Sequence, residues 1–257
     1  MKFRSKPSRA IVTMVHNEAV FFPIWLKYYG QFFGSGDIYV LDHESTDGST
    51  QVGGFVRIPV SQEKVDWGWH RDAIQEQQHR LIARYDVVLC ADVDEIVAPD
   101  PRLGTLSEYI DKFDQEFVNC RGYEILHVRD SEPPLQLNRP ILNQRDYWYY
   151  NPAYSKPLLS AVPMYWHGGL HCRVDGQMNP DPNLCLIHLH RVDYDICLAR
   201  HHQRISRPWN QRDVDEGWGY QNRITDPGRF LQWFYGDSCS GVPIQIERIP
   251  GHWACLV

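Results

Sequence analysis

The tetrapeptide DVDE occurs twice in the chain, at Asp92–Glu95 and again at Asp213–Glu216. The first copy follows the apolar run VVLCA (residues 87–91), which is typical of a buried strand. Side chains two residues apart on an extended chain point the same way, so Asp92 and Asp94 can face one ligand. Two carboxylates in a dry cleft repel each other unless they share a proton or bind a divalent cation, whose shell is often completed by phosphate oxygens. The first copy therefore predicts a site for a metal-bound diphosphate.

The second DVDE has no strand to position it. It follows the segment RPWNQR (residues 207–212), which shows no apolar periodicity. Charge-rich segments of this kind are usually at the surface, so this copy is expected in a solvated loop or at a helix start. The alternative is that its aromatic neighbours line an acceptor site or form a mobile lid. These neighbours are Trp209, Trp218 and Tyr220.

Two histidines in the segment IHLH are candidate metal ligands. His188 and His190 alternate with apolar residues, so both rings are expected on one side of a strand. Imidazole is a common ligand of divalent metals, so either ring could belong to a metal site, which a later resemblance narrows to His188. The alternative is a hydrogen-bonded structural pair. The neighbouring Arg191 is predicted either to bind phosphate or to form a surface ion pair.

Strands and helices alternate in the first half of the chain. Short β-branched or apolar runs predict strands, and apolar residues at helical spacing predict helices. The predicted strands are residues 10–15, 37–42, 55–60 and 87–91, and the predicted helices lie near residues 22–33 and 71–85. Pro23 indicates that the first helix starts or kinks at that point.

This alternation predicts a parallel sheet with right-handed crossovers. In such sheets, ligands bind beyond the carboxyl ends of the strands. The first strand ends at the segment His16–Glu18, the second at Asp42 and the fourth at the first DVDE. These polar groups are therefore expected to converge on one edge of the sheet.

Composition and charge restrict the classes of function. The chain has 257 residues, 43% of them hydrophobic, and a net charge of −6. This suits a sizeable core and argues against nucleic-acid binding, which needs clustered cations. No apolar run approaches the roughly 18 residues of a membrane span, and no signal peptide is indicated. The first nine residues form a basic start, which contains Lys2, Arg4, Lys6 and Arg9. It is expected to be a solvated tail or, alternatively, to be attracted weakly to an anionic membrane.

The cysteines favour reduced thiols over a disulfide framework. There are seven, widely spread and without CxxC spacing, a pattern typical of a cytosolic protein. A bridge between Cys172 and Cys185 stays open on the sequence. We therefore expect the protein in the cytoplasm, with association at the cytoplasmic face of a membrane as an alternative.

Long segments of the first half resemble glycosyltransferases of the GT-A fold. The likeness is carried by IVTMVHNEAVFFPIWLKYYGQFFGSGDIYVLDHESTDGS (residues 11–49) and DVVLCADVDEIVAPDP (residues 86–101), and continues more loosely through residues 154–171 and 185–193. These segments are most similar to the family 2-like group that writes its DxD motif as DVDE and borders family 92. The resemblance implies an α/β fold of the GT-A (Rossmann-like) type, with a mostly parallel sheet flanked by helices and a mixed second half.

The same resemblance implies a single glycosyltransferase domain. Its nucleotide-sugar-binding half would span about residues 9–115, its acceptor and metal-completing half about residues 116–207, and residues 208–257 would have no assigned role. The implied activity is metal-dependent transfer of a sugar from a nucleotide sugar, with a UDP-sugar expected, to a glycan, lipid-linked or other acceptor. Mn²⁺ or Mg²⁺ is the implied cofactor.

Site residues carry over by position in the matching motifs. In this correspondence Asn17 and Glu18 lie at the nucleotide edge, and Asp42 contacts the nucleobase. Asp92 contacts the ribose or the metal, and the metal is bound by Asp94 and His188. Two features depart from the family pattern: glycine-rich pyrophosphate signatures are absent, and the acidic pair that marks the general base has no clear counterpart. The stereochemistry of transfer therefore stays open.

Lys156 is predicted to stabilise the leaving diphosphate, or alternatively to be a solvated lysine on an edge strand.

Inverting transfer would need a general base within hydrogen-bond reach of the acceptor hydroxyl. Asp175, between the segments HGGLH and IHLH, is the predicted base, with Glu124, Asp130 and Glu132 as rivals. His171 of HGGLH is expected either to contact the acceptor or to cap its turn.

Other functions stay open on the sequence. A nucleotidyltransferase also attacks a metal-bound phosphate, and a non-catalytic carbohydrate-binding protein would use the aromatic middle of the chain, which holds Tyr147, Trp148, Tyr149, Tyr150, Tyr154 and Trp166. A zinc hydrolase built on IHLH lacks a third ligand in the same segment. The oligomeric state is not indicated.

Overall fold

Parallel strands organise the first half of the protein, whose computed structural model describes residues 6–236 and 244–257. These strands are β1 (Arg9–Val15), β2 (Ile38–His43), β3 (Val56–Val60) and β4 (Val87–Cys90). They lie in the order β4, β1, β2, β3, and every neighbouring pair is parallel. β2 and β4 are buried throughout, as expected for apolar strands inside a parallel sheet, whereas β3 has exposed residues. The strands predicted from the sequence are confirmed.

Two helices connect these strands. Helix α1 (Phe21–Tyr29) follows β1, and helix α2 (Trp67–Ile82) precedes β4. Helix α1 starts at Phe21, and Pro23 lies in its first turn, where the missing N–H would have no acceptor within the helix. Helix α2 begins earlier than predicted because the Asp66 side chain accepts a hydrogen bond from the Trp69 N–H and caps it.

The second half of the sheet is mixed, as predicted. Its strands are β5 (Glu95–Pro99), β6 (Phe117–Ile125), β7 (Tyr147–Tyr150), β8 (Leu159–Ser160), β9 (Pro180–His188) and β10 (Ile246–Arg248). β9 lies between β5, with which it is antiparallel, and β6, with which it is parallel. β8 pairs with both β4 and β6, which joins the two halves. The result is an α/β fold with a parallel central part and antiparallel additions.

Helices α3 to α6 complete the fold. They are α3 (Leu106–Asp111), α4 (Tyr194–Ile205), α5 (Gln211–Asp215) and α6 (Pro227–Gly236). Helix α6 buries Phe230, Trp233 and Phe234 in an apolar cluster that also holds Leu126 and Tyr149. Strand β10 pairs with β7 at the edge of the sheet. The described part of residues 208–257 therefore packs against the rest of the protein.

The basic start differs from a free tail in its described part. Arg9 belongs to β1 and binds Asp111, and the Lys6 ammonium lies 2.8 Å from the same carboxylate. Lys2 and Arg4 lie outside the described residues. Attraction to an anionic membrane stays a prediction.

The cysteines of residues 6–236 and 244–257 are free thiols, so Cys172 and Cys185 form no bridge. Cys239 lies outside the described residues. Within the same ranges, no helix combines the length and the apolar character needed to cross a membrane.

Candidate functional site

A cleft of about 230 Å³ lies at the carboxyl ends of β1, β2 and β4. Its wall includes Glu18 after β1, His43 at the end of β2 and Asp92 and Asp94 after β4. The other walls come from the start of α2, the end of β9 and helix α4. The predicted convergence is therefore seen for the ends of β1 and β4, whereas at the end of β2 the cleft is lined by His43 and not by the predicted Asp42.

Three side chains in the cleft could hold a metal ion together. Asp94, His188 and His190 each place one donor atom within 4.8 Å of the others. Sheet pairing brings them together: Glu95 pairs with His188 across β5 and β9, and the Leu189 N–H donates to the Asp94 carbonyl at 2.7 Å. The two imidazole rings are stacked with their centroids 5.5 Å apart, although β9 ends at His188 and His190 follows it. The structure thus assembles both histidines with Asp94, where the sequence favoured His188 alone.

A buried glutamate orients the first of these histidines. Glu124 pairs with His188 across β6 and β9, and its carboxylate lies 2.8 Å from His188 Nδ1. The second oxygen of Glu124 accepts a hydrogen bond from the Arg191 N–H at 3.2 Å. A histidine whose Nδ1 is held by a carboxylate presents Nε2 as the metal ligand, which is the usual arrangement in metal sites. The Nε2 of His188 lies 3.7 Å from Asp94, so this donor set fits a divalent cation.

The charges around His188 act in opposite directions on its pKa. Burial lowers it, but the carboxylates of Glu124 and Asp94 outweigh burial and raise the pKa of His188. The pKa of His190 falls to about 4, because burial dominates over its contact with Asp94. His190 is therefore neutral at neutral pH, the form in which imidazole binds metals.

A buried arginine bridges two carboxylates of the cleft. Arg200 Nη1 lies 2.7 Å from Asp94, and Nη2 lies 2.6 Å from Glu18. Burial would raise the pKa of Asp94, but Arg200 and His188 hold it well below its usual range. The pKa of Glu18 is raised by burial, which Arg200 and Arg204 only partly offset. Arg200 therefore neutralises a carboxylate pair that would otherwise repel.

Three arginines of the cleft were not among the residues predicted from the sequence. Arg200, Arg204 and Arg207 all line the cleft, and Arg204 lies 4.0 Å from Glu18. Arg200 and Arg204 are four residues apart on one face of α4, which was a usable signal, whereas Arg207 follows the end of that helix. The three form a cationic wall, in which Arg200 contacts the carboxylates of Asp94 and Glu18.

Lys156 lines the cleft and is buried, so it is not a solvated lysine. Its ammonium is 2.6 Å from Glu95 and 3.4 Å from Asp92. Burial disfavours the charged amine, but these carboxylates raise the pKa of Lys156. The other oxygen of Asp92 lies 3.8 Å from His70 Nε2. Asp92 thus faces Lys156 and His70, and it lies outside the three-residue metal group.

Two predicted nucleotide contacts stabilise a turn and do not line the cleft. The Asn17 side chain accepts hydrogen bonds from the N–H groups of Thr46 and Asp47 at 2.7 and 3.1 Å. Asp42 is buried and accepts hydrogen bonds from Thr50 and from Arg57 Nε at 3.0 and 2.6 Å. In this structure, both side chains have their oxygens bound to the segment that follows β2.

Asp175, the predicted base, is not brought to the cleft. It is exposed and pairs with Arg173 at 2.6 Å, which lowers its pKa to about 2. An ion-paired carboxylate with so low a pKa, placed outside the cleft, is unsuited to act as the general base of this site. Of its rivals, Glu124 holds His188, Glu132 accepts from the Val128 N–H at 2.6 Å, and Asp130 is exposed.

The second DVDE needs a correction. It begins within α5, as one interpretation predicted, but Asp213 is fully buried and not solvated. Its carboxylate accepts a hydrogen bond from the Trp67 N–H at 2.7 Å, so it helps to position the start of α2. Asp215 and Glu216 are exposed as expected.

Aromatic side chains line the cleft, although not those expected around the second DVDE. Trp67, Trp69, Tyr154 and Trp233 contribute to its walls. Trp209, Trp218 and Tyr220 do not line the cleft. In the aromatic middle of the chain, Trp148, Tyr149 and Trp166 are buried.

Fold and site together define an α/β protein with a polar cleft whose donor set fits a divalent cation. No protein-family model matches the sequence. No curated protein matches it. Among solved structures it is similar to the mannosyltransferase PcManGT from Pyrobaculum calidifontis in complex with GDP-Man and Mn²⁺, at 13% identity and a TM-score of 0.42. The match covers 79% of this chain and 62% of that chain, so this protein spans less than two thirds of it.

Proposed function

We propose that the protein is a metal-dependent glycosyltransferase that moves a sugar from a nucleotide sugar to a carbohydrate-type acceptor. One observation carries the proposal: the donor group of Asp94, His188 and His190 shares a cleft with Lys156 and Arg200. Metal donors beside buried cations suit a metal-bound diphosphate, which needs more positive charge than an ion alone supplies. The position at the carboxyl ends of parallel strands is where such ligands bind.

The residues present fit a divalent cation of a particular kind. Held by Asp94, His188 and His190, the cation would act as a Lewis acid toward the diphosphate oxygens. Two imidazole donors favour Mn²⁺ over Mg²⁺, which prefers oxygen ligands. Glu124 would keep the His188 ring in its ligating orientation.

The chain's own cations would act on the leaving group. Negative charge accumulates on the diphosphate as the bond to the anomeric carbon breaks, and fixed positive charges stabilise that charge. Lys156 is already buried, so it meets this charge in a medium of low dielectric constant. Arg204 and Arg207 extend the same wall of the cleft. The carboxylates Glu18 and Asp92 are proposed to contact the nucleoside, most simply through ribose hydroxyls.

The aromatic walls would bind flat or apolar faces of the donor. Trp67 and Trp69 come from the start of α2, and Trp233 comes from α6. Aromatic rings stack on nucleobases and on the apolar faces of sugars. They also reduce the water in the cleft, which limits hydrolysis of the donor. A UDP-sugar remains the expected donor.

A second candidate, a zinc hydrolase, is favoured by the same three donors. The histidine segment alone lacked a third ligand, and Asp94, which immediately precedes β5, supplies it. Two histidines and a carboxylate with an open side are a known ligand set of catalytic zinc. The buried cations weigh against it, because a zinc-bound hydroxide does not need a cationic wall.

Thermal unfolding with UDP, GDP, CDP and dTDP, each with and without Mn²⁺, tests the proposal. A ligand at about 100 times its dissociation constant adds roughly 2.7 kcal/mol to the free energy of unfolding. We expect one nucleotide to raise the melting temperature only with Mn²⁺, and Asp94→Asn to remove this rise. The control is Asp175→Asn, which changes an exposed carboxylate outside the cleft and should keep the rise.

Three other outcomes would point elsewhere. Stabilisation by Zn²⁺ alone, with no nucleotide effect, would favour the hydrolase. Binding of a nucleoside triphosphate and release of pyrophosphate in the presence of a sugar phosphate would favour a nucleotidyltransferase. Glycan binding with neither metal nor nucleotide would favour a non-catalytic binding protein.

A further inference from the structure

One imidazole of the cleft has a free nitrogen that the metal group does not use. His171 follows the turn Gly168–Leu170, and its ring lines the cleft. Its Nδ1 lies 2.6 Å from the Ala153 carbonyl oxygen. A carbonyl oxygen can only accept, so Nδ1 carries the hydrogen and Nε2 carries a lone pair. Among the described residues, that Nε2 has no hydrogen-bond partner.

The turn is built to let this ring lie close to the backbone. Gly169 also lines the cleft and has φ of +70°, in the region that favours glycine. A Cβ at this position would lie 2.6 Å from His171 Cδ2 and 2.7 Å from His171 Nε2. Any larger residue would therefore push the ring away or cover its free nitrogen. The glycine preserves both the position of the imidazole and the access to Nε2.

The surroundings keep His171 neutral. The surrounding protein partly excludes water from the ring, and this desolvation lowers the pKa of His171 to about 4. The Lys156 ammonium lowers the pKa further. The other charged groups that act on it are Asp92, which raises the pKa, and His188, which lowers it. A bound diphosphate would add negative charge and raise the pKa toward neutrality. The imidazole is thus unprotonated when the acceptor arrives and becomes more basic with the donor in place.

We propose that His171 is the general base that deprotonates the acceptor hydroxyl, an inference that rests on the proposed glycosyl transfer. The acceptor O–H proton passes to Nε2 while the acceptor oxygen forms a bond to the anomeric carbon. The bond from that carbon to the diphosphate oxygen breaks, and its electron pair leaves with the nucleoside diphosphate. Nδ1–H stays bound to Ala153, which fixes the ring and shares the developing positive charge. A single displacement of this kind inverts the anomeric configuration.

The test compares His171→Gln with His167→Gln. His167 belongs to the same HGGLH segment but is exposed and does not line the cleft, which makes it a matched control. A panel of UDP- and GDP-hexoses is incubated with Mn²⁺, with methyl glycosides or water as acceptor, and nucleoside diphosphate release is measured. Binding of the free nucleoside diphosphate with Mn²⁺ is measured separately by calorimetry.

We expect His171→Gln to lower kcat by about 10² to 10⁴-fold, the usual contribution of a general base. Its dissociation constant for the nucleoside diphosphate should stay within about twofold of the unmodified protein, since His171 is not among the metal donors. The acidic limb of the pH–rate profile should disappear, and added imidazole should restore turnover in His171→Ala. Product NMR should show inverted configuration.

Different results overturn different claims. Unchanged kcat and an unchanged pH profile in His171→Gln, with normal nucleotide binding, would refute the role of His171 and leave the glycosyltransferase proposal standing. Retained anomeric configuration would do the same. Failure of the unmodified protein to bind any nucleotide or to release any nucleoside diphosphate would refute the proposed function and this inference together.

Discussion

Replacing Arg200 with methionine would remove the shared counter-charge of two buried carboxylates. The guanidinium contacts Asp94 at 2.7 Å and Glu18 at 2.6 Å, and the three side chains are only 7%, 8% and 10% exposed for Asp94, Arg200 and Glu18. The guanidinium carbon also lies 4.5 Å from the centre of the Phe21 ring. Methionine keeps the apolar stem of the side chain but removes both the charge and this cation–π contact.

The magnitude follows from the burial of these groups. Removing one partner of a buried ion pair costs about 3–5 kcal/mol, because the remaining charge loses both water and its partner. Here two carboxylates are left, and their mutual repulsion adds to the cost. Each kcal/mol lowers the melting temperature of a protein of this size by about 2–4 °C. We expect Arg200→Met to lower it by about 6–20 °C.

The assay is thermal unfolding followed by circular dichroism, with and without Mn²⁺. A cation at Asp94 would replace part of the lost positive charge, so Mn²⁺ should stabilise Arg200→Met more than the unmodified protein. Adding Glu18→Gln to Arg200→Met should recover part of the loss, because one repelling charge is removed. Arg229→Met, which changes an exposed arginine, should alter the free energy of unfolding by less than about 0.5 kcal/mol.

The reasoning would be refuted by a loss below about 1 kcal/mol in Arg200→Met, well short of the cost of an unpaired buried charge. It would also be refuted if Glu18→Gln gave no recovery in the double variant. Either result would mean that the carboxylates do not depend on this arginine for their charge balance.

Three further predictions concern the metal group and the second DVDE. Glu124→Gln should weaken Mn²⁺ binding by about 10- to 100-fold in calorimetry, since it loosens the orientation of His188, and an unchanged affinity would contradict that role. Mn²⁺ affinity should fall as the pH drops from about 8 to about 6, because the pKa of His188 is raised and the proton competes with the metal, whereas a flat profile would argue against His188 as a ligand. Asp213→Ala should lower the free energy of unfolding by about 1–3 kcal/mol in urea, because the part-buried Trp67 N–H loses its acceptor, and a neutral result would show that water replaces it.

Local pattern was enough to predict the parallel half of the sheet and part of the site. Apolar runs reveal buried strands because both faces of such strands are covered, and the carboxyl ends of parallel strands share one edge. The resemblance to GT-A glycosyltransferases implied that Asp94 and His188 share a metal site, and the structure brings the two side chains together. Lys156 lies in the same cleft, and its role toward a diphosphate stays a prediction.

What only the tertiary structure decided was which distant charges meet. Arg200 reaches Asp94 across 106 positions and Glu124 reaches His188 across 64, through helix packing and strand register that no local period encodes. The same reason explains the corrections. Asp175 pairs with a neighbour two residues away, and Asp213 is buried by the start of α2, 146 positions earlier. Sequence periodicity determines the direction in which a side chain points from its own strand, whereas the partner it meets depends on long-range packing.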